Sequence, residues 1–248
     1  MIHSFLLMGQ SNMAGRGRIK EAREIDKSHI FILRNGRWQP MFRPINPDRS
    51  FSGVNLAESF AEKYAADHGV DVGLIPCADG GTTLEQWKEG GILFENAVYQ
   101  ARLAQRTSRI VGILWHQGES DCPDSRYPLY RERFEAMLSA FRRETGLDDV
   151  PVIVGALGDF LPECTSQNCS NYAHINEFLK QIADADPLIG LATAEGLGHN
   201  GDNLHFNAEA LYEFGLRYLA EYERIGAPEE KREEALEDDS KRSSMEAL

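Results

Sequence analysis

A serine lies where a buried strand is predicted to end, and two residues near the end of the chain could activate it. Ser11 follows the apolar run Ile2 to Met8, just after Gly9. A serine hydroxyl is a weak nucleophile unless a neighbouring base removes its proton. His205 is the best candidate for that base. Asp202, three residues earlier, could accept a hydrogen bond from the ring, fix its tautomer and stabilise its cation. These residue types predict acyl transfer through a serine nucleophile.

The sequence leaves other interpretations of the two histidine-bearing segments open. Asp202 or Asn203 could cap the last helix, which would make His205 a surface residue of its first turn. His199 is a rival base, but it lies in a glycine-flanked loop without an acid at a matching spacing.

Acyl transfer also needs hydrogen-bond donors for the oxyanion of the tetrahedral intermediate. Gly80 and Gly81 could bring backbone N–H groups close to a ligand, and the Gln117 amide could donate two more hydrogen bonds. Glu119 could be a second carboxylate partner for His205 or could brace its loop. A plain turn at the glycines and a buried polar network at 116–119 are the alternatives.

The elements that must position these side chains follow from hydrophobic periodicity. Apolar runs predict strands at 2–8, 70–76, 110–115, 150–157 and 188–192. Helical spacing predicts helices at 56–67, 93–106, 127–144, 171–185 and 207–225. Asn35-Gly36 predicts a small hairpin between 30–33 and 37–38. Alternating strands and helices predict a parallel sheet covered on both faces. Four polar clusters follow these strands, at Ser11, Gly80-Gly81, 117–119 and 202–205. Because such sheets bind ligands at the carboxyl ends of their strands, we expect these clusters to meet there.

Composition restricts the class of protein and its partners. The 248 residues are 42% hydrophobic with a net charge of −13, which argues against a nucleic-acid or anionic-membrane surface. We therefore expect a small-molecule partner, and neither a nucleic acid nor a membrane. No signal-peptide pattern or membrane-spanning run is visible, so the expected location is the cytoplasm. We expect one domain over 1–226, followed by a charged and disordered tail over 227–248.

The four cysteines, at 77, 122, 164 and 169, are predicted to be free thiols. Cys164 and Cys169 are near enough in sequence to form a disulfide in an oxidising compartment. The cysteines lack the paired spacing of zinc ligands, so we predict no metal site.

Taken together, four sequence blocks resemble the SGNH hydrolase superfamily. The closer match is the branch that contains sialate O-acetylesterases and the acetylxylan esterases of carbohydrate esterase family 6. The blocks are Gly9-Gln10-Ser11-Asn12, Gly80-Gly81-Thr82 with Trp87, His116-Gln117-Gly118-Glu119-Ser120-Asp121, and Asp202-Asn203-Leu204-His205. The resemblance implies a three-layer α/β/α sandwich with a flavodoxin-like parallel sheet of strand order 2-1-3-4-5.

The resemblance also implies roles for individual residues. Ser11 would be the nucleophile and His205 the base, oriented by Asp202. The oxyanion hole would combine the N–H groups of Ser11 and Gly81 with the side chain of Gln117, where the wider superfamily usually carries asparagine. We expect the substrate to contact Gln10, Asn12 and Gly80, and we expect no metal or organic cofactor.

The expected activity is removal of O-acetyl groups from a small carbohydrate through an acyl-serine intermediate. An acetylated sugar, a xylo-oligosaccharide and a sialic acid are all compatible with the sequence. Two other functions stay open: another serine esterase of the superfamily, such as a thioesterase or lysophospholipase, and a non-catalytic carbohydrate-binding protein. The sequence predicts no oligomeric state.

Overall fold

The computed structural model describes residues 1–226, which form a seven-stranded sheet with helices on both faces. The strands are β1 (Ile2–Gly9), β2 (Ile30–Arg34), β3 (Arg37–Pro40), β4 (Val72–Pro76), β5 (Ser108–His116), β6 (Val152–Gly155) and β7 (Ile189–Ala192). The α-helices are α1 (Ser11–Ala14), α2 (Ala57–His68), α3 (Ile92–Ala104), α4 (Tyr130–Thr145), α5 (Tyr172–Ala185) and α6 (Ala208–Ile225). The predicted tail over 227–248 lies outside the described residues.

The order of the strands is β3-β2-β4-β1-β5-β6-β7. Every neighbouring pair is parallel except β2 and β3. The five strands predicted from apolar runs are β1, β4, β5, β6 and β7. If these five strands are numbered 1 to 5 along the chain, their order in the sheet is 2-1-3-4-5. The expected sheet is therefore confirmed.

The predicted hairpin joins the sheet at one edge. Asn35 and Gly36 both have positive φ angles, 52° and 76°, as the tight turn requires. β2 then pairs in parallel with β4, which adds two strands beyond the five that the apolar runs predict. Local sequence specifies the hairpin turn, but not the edge at which the hairpin docks.

Alternate residues of β1 enter two separate cores. Leu6 and Met8 belong to the core that contains residues of α3, α4 and α5. Phe5 and Leu7 belong to the core that contains residues of α2 and α6. Because successive side chains of a strand point to opposite faces, the two cores lie on opposite sides of the sheet. The result is the three-layer α/β/α sandwich that the sequence predicts.

Two buried tyrosines fix α6 on the central strand β5. The Tyr218 hydroxyl donates to the Trp115 carbonyl at 2.8 Å, and the Tyr222 hydroxyl donates to the Val111 carbonyl at 3.0 Å. A buried tyrosine hydroxyl needs such a partner, so these bonds specify where the helix lies. Since α6 begins three residues after His205, they also restrict the position of that histidine.

All four cysteines are free thiols, as predicted. Within residues 1–226, no helix combines the length and the apolar character needed to cross a membrane. In the same part of the chain, no group of three histidine, cysteine or carboxylate residues is placed to hold a metal ion.

Candidate active site

Ser11 begins the one-turn helix α1, directly after a sharp turn at the end of β1. The turn occurs at Gly9, whose φ angle is 129° and where a Cβ atom would lie 2.1 Å from the His116 carbonyl oxygen. The Gln10 N–H donates to that same carbonyl at 2.9 Å. Only glycine fits so close to β5, so this turn places Ser11 at the carboxyl edge of the sheet.

Ser11, His205 and Asp202 form a continuous series of hydrogen bonds. The Ser11 Oγ lies 3.1 Å from His205 Nε2, and His205 Nδ1 lies 2.7 Å from Asp202 Oδ2. An ionised carboxylate only accepts hydrogen bonds, so Nδ1 carries the proton and Nε2 presents a lone pair to the serine hydroxyl. This arrangement suits removal of the serine proton.

Asp202 holds the backbone as well as the ring of His205. Its Oδ1 accepts from the Leu204 and His205 N–H groups at 3.0 and 2.9 Å. Burial raises the pKa of Asp202, but the hydrogen bonds from His205 and Leu204 outweigh burial and leave the pKa below its ordinary value. The carboxylate is therefore ionised at neutral pH. The interpretation of Asp202 or Asn203 as a helix cap is wrong, because Asn207 caps α6.

His199, the rival base, holds a loop. Its Nδ1 accepts from the N–H groups of Gly201 and Asn203, each at 3.1 Å. Its ring packs against Phe160 at a centroid distance of 5.1 Å. Since Nδ1 accepts hydrogen bonds from the backbone, we assign the His199 side chain a role in holding this loop.

Asn12 was expected to bind substrate, but its side chain is engaged with the protein. Its Nδ2 donates to the Leu204 carbonyl at 3.1 Å and to Glu119 Oε1, and its Oδ1 accepts from the Phe206 N–H at 3.2 Å. The residue is 1% exposed. Both amide protons are used, so the structure gives Asn12 the part of a brace.

Glu119 contacts that brace, and the carboxylate bonded to His205 is Asp202. Of the two interpretations of Glu119, the structure therefore favours the loop brace. Burial raises the pKa of Glu119 to about 7, against the hydrogen bond from Asn12, which lowers it.

Gln10 and Gln117 also differ from the expectation. Gln10, expected to contact substrate, is 2% exposed, and its Oε1 accepts from the Ser120 N–H at 3.2 Å. Gln117, expected in the oxyanion hole, donates from Nε2 to the Thr82 carbonyl at 3.1 Å and to Asp121 Oδ2 at 2.6 Å. Because an amide nitrogen has only two protons, Gln117 keeps none for an oxyanion. Its contact with Thr82 instead holds the glycine loop.

The glycine pair lies beside the nucleophile. A Cβ atom on Gly80 would be 3.5 Å from the Ser11 Cβ and 2.4 Å from Arg16 Nη2, so a side chain there would displace Arg16. The Gly80 N–H is used, since it donates to Asp48 Oδ2 at 2.8 Å. Gly81 has a φ angle of 77°, and none of the hydrogen bonds found within residues 1–226 uses its N–H. Of the two glycines, Gly81 therefore has the N–H group that is free for a ligand.

A buried ion pair that sequence reasoning missed supports this loop. Arg16 donates to Asp48 twice, at 2.9 Å from Nη1 to Oδ1 and at 2.7 Å from Nη2 to Oδ2. Their side chains are only 4% and 5% exposed. Burial raises the pKa of Asp48, but the hydrogen bonds from Arg16 and Ser52 outweigh it and lower the pKa overall. Asp48 thus links Arg16 to the Gly80 N–H through fixed charges.

Arg49 adds a second contact to the same loop. Its Nη2 donates to the Gly80 carbonyl at 2.9 Å, and its Nη1 donates to Asp79 Oδ1 at 2.8 Å. One sequence signal points to Asp48 and Arg49: they are adjacent charged residues within a loop rich in proline, asparagine and serine. Nothing in their spacing connects them to Gly80.

Comparison with known proteins identifies the family of this chain. The sequence model of the family described as carbohydrate esterase, sialic acid-specific acetylesterase, matches residues 1–224. A probable carbohydrate esterase of Arabidopsis thaliana is 26% identical over 245 residues, covering 88% of this chain and 89% of the relative. The X-ray structure of the same Arabidopsis thaliana protein has a TM-score of 0.76 at 28% identity and covers 88% of this chain and 96% of its own.

More distant structures share the fold. A carbohydrate acetylesterase from Xanthomonas citri has a TM-score of 0.67 at 21% identity, over 90% of this chain and 56% of its own. A lipase/acylhydrolase from Enterococcus faecalis has a TM-score of 0.56 at 14% identity, over 93% of this chain and all (100%) of its own. The resemblance inferred from the four sequence blocks is confirmed. Because the family match covers most of the chain, the chain belongs to the carbohydrate esterase family of sialic acid-specific acetylesterases, in the SGNH superfamily, and is a carboxylic ester hydrolase.

Proposed function

We propose that this protein removes O-acetyl groups from small carbohydrates through an acyl-serine intermediate. The observation that carries the proposal is the hydrogen-bonded series from Ser11 through His205 to Asp202. Family membership supports the ester and the carbohydrate, and the geometry supports the serine mechanism.

The reaction has two acyl-transfer steps. The Ser11 hydroxyl gives its proton to His205 Nε2 while Oγ attacks the acetyl carbonyl, and Asp202 stabilises the resulting imidazolium. The tetrahedral intermediate then collapses, the bond to the sugar oxygen breaks, and His205 returns the proton to that oxygen. Water attacks the acetyl-serine by the same route, releases acetate and restores the Ser11 hydroxyl.

The N–H groups of Ser11 and Gly81 are the proposed oxyanion donors. Ser11 is the first residue of a helical turn, where backbone N–H groups have no intrahelical acceptor. Gly81 follows Gly80, which packs against Ser11. Gln117, Asp48 and Arg49 contribute indirectly, because they hold this loop through its carbonyl and N–H groups.

A panel of esters tests the proposal. We expect acetate release from p-nitrophenyl acetate and from acetylated sugars, and little turnover of long-chain p-nitrophenyl esters. An organophosphonate should label Ser11, as measured by mass spectrometry, and Ser11→Ala should abolish both labelling and turnover. Full activity of Ser11→Ala would overturn the mechanism, and preference for long acyl chains would favour the thioesterase or lysophospholipase alternative. Glycan binding without turnover would favour a binding protein.

A further inference from the structure

Asn12 contacts the backbone on both sides of the proposed base. Its Nδ2 donates to the carbonyl of Leu204, the residue before His205, at 3.1 Å. Its Oδ1 accepts from the N–H of Phe206, the residue after His205, at 3.2 Å. One buried amide therefore holds the chain on either side of the histidine.

The same residue adjoins the nucleophile in the chain. Ser11 and Asn12 are the first two residues of α1, so one helical turn fixes their relative positions. The carbonyl of the next residue, Met13, accepts from the buried Asn55 side chain, which anchors the turn to the loop before α2. The contacts of Asn12 therefore fix the position of His205 relative to the element that carries Ser11 Oγ.

Glu119 orients the amide. It accepts the second Nδ2 proton of Asn12, and it is itself 1% exposed in the short turn that follows β5. With one proton directed to Leu204 and the other to Glu119, the amide has a single orientation that also aims Oδ1 at the Phe206 N–H. A flipped amide would put N–H groups against an N–H donor.

We propose that Asn12, oriented by Glu119, is a positioning residue that sets the distance between His205 Nε2 and Ser11 Oγ. This inference rests on the proposed serine mechanism and adds a residue to it. Asn12 acts through His205 and does not itself touch the reacting atoms. A displacement of about 1 Å of a catalytic group can cost roughly 100-fold in rate, so small movements of the histidine segment matter.

The test is Asn12→Asp, which keeps the shape of the side chain and changes its polarity. The carboxylate still accepts from Phe206, but it meets the Leu204 carbonyl and Glu119 with oxygen in place of N–H. We expect kcat for p-nitrophenyl acetate to fall roughly 10- to 100-fold with KM nearly unchanged, and phosphonate labelling of Ser11 to slow to the same degree.

Asn176→Asp is the matched control. Asn176 holds the N–H and carbonyl of Leu157 with its amide, at 2.7 and 3.0 Å, in the same way but on α5. Its substitution should lower thermal stability and leave kcat and the labelling rate near wild type. Equal loss of kcat in both variants would mean that Asn12 has a general structural role and would overturn the inference.

A second pair of variants keeps the inference testable if Asn12→Asp does not fold. Glu119→Gln retains an oxygen that accepts from Asn12, whereas Glu119→Ala removes it. We expect kcat of Glu119→Gln to be about 10-fold or more above that of Glu119→Ala, again with KM nearly constant. If neither kcat nor labelling differs between these variants, or if Asn12 variants change KM alone, the inference fails. The serine mechanism would still stand in that case, because Ser11→Ala tests it separately.

Discussion

Replacing Asp202 by asparagine should put the wrong tautomer of His205 against Ser11. The amide oxygen of asparagine can replace Oδ1, which accepts from two backbone N–H groups. At the Oδ2 position, however, asparagine presents an N–H donor to His205 Nδ1, which lies 2.7 Å from the carboxylate. The ring then accepts at Nδ1 and carries its proton on Nε2. The Ser11 hydroxyl consequently faces no lone pair.

The expected loss of kcat depends on how exposed the side chains of Asp202 and His205 are. A wrong tautomer costs about 10⁴-fold in kcat where the carboxylate is buried. Here the side chain of Asp202 is 43% exposed and that of His205 is 20% exposed, so water can replace the asparagine contact and allow the correct tautomer. The cost is then one hydrogen bond to a charged group, about 1.5–3 kcal/mol. That free energy corresponds to a fall in kcat of roughly 10- to 150-fold.

Initial rates of p-nitrophenyl acetate hydrolysis measure this effect, and thermal unfolding separates it from instability. Asp202→Ala should lose kcat and also unfold at a lower temperature, because it removes the two bonds to backbone N–H groups. Asp71→Asn is the matched control, since Asp71 accepts from His29 at 2.8 Å on the surface. It should leave kcat unchanged. Wild-type kcat in Asp202→Asn would refute the tautomer reasoning. A fall that approaches about 10⁴-fold would refute it too, because screening by water would then be absent.

Three further predictions concern the loop that supports the glycine pair. Asp48→Ala leaves Arg16 buried without its charged partner and should lower the free energy of unfolding by about 3–5 kcal/mol. Denaturant titrations measure this loss. A loss within about 1 kcal/mol, which is the value of an exposed ion pair, would contradict the prediction. Because folding lowers the pKa of Asp48, its contribution is complete above its ordinary pKa and is lost as the pH falls through the lowered value. Unfolding temperatures of wild type and Asp48→Ala should therefore converge in acid, and a constant difference would count against the assignment. Gly80→Ala places a methyl group 2.4 Å from Arg16 Nη2 and should reduce kcat, whereas unchanged kcat would show that the loop can move aside.

Much of the fold could be predicted from local pattern. Apolar runs and helical spacing depend on which residues are buried, and burial repeats with the period of each element. The five central strands were found for this reason. The docking of the hairpin on β4 could not be found, because it depends on an edge that exists only after the other strands have paired.

The candidate site divides in a similar way. Ser11, Gly80, Asp202 and His205 follow or adjoin the predicted strands, and a parallel sheet brings strand ends together, so their proximity followed from topology. The amides of Asn12 and Gln117 could have reached substrate or protein from the same positions. Their partners depend on ångström-scale distances across the sheet, which no local pattern records.

Residue type and spacing along the chain determined the five central strands and the segments that meet at the site. The sheet order and the ester hydrolase class came from the resemblance of four sequence blocks to a known family. Tertiary structure decided which polar groups are satisfied internally and which stay open to a substrate. That distinction turns the amides of Asn12 and Gln117 into supports and selects Asp202 over Glu119 as the partner of His205. Hydrogen bonds require contact within about 3 Å, and contact between distant segments exists only in the folded chain.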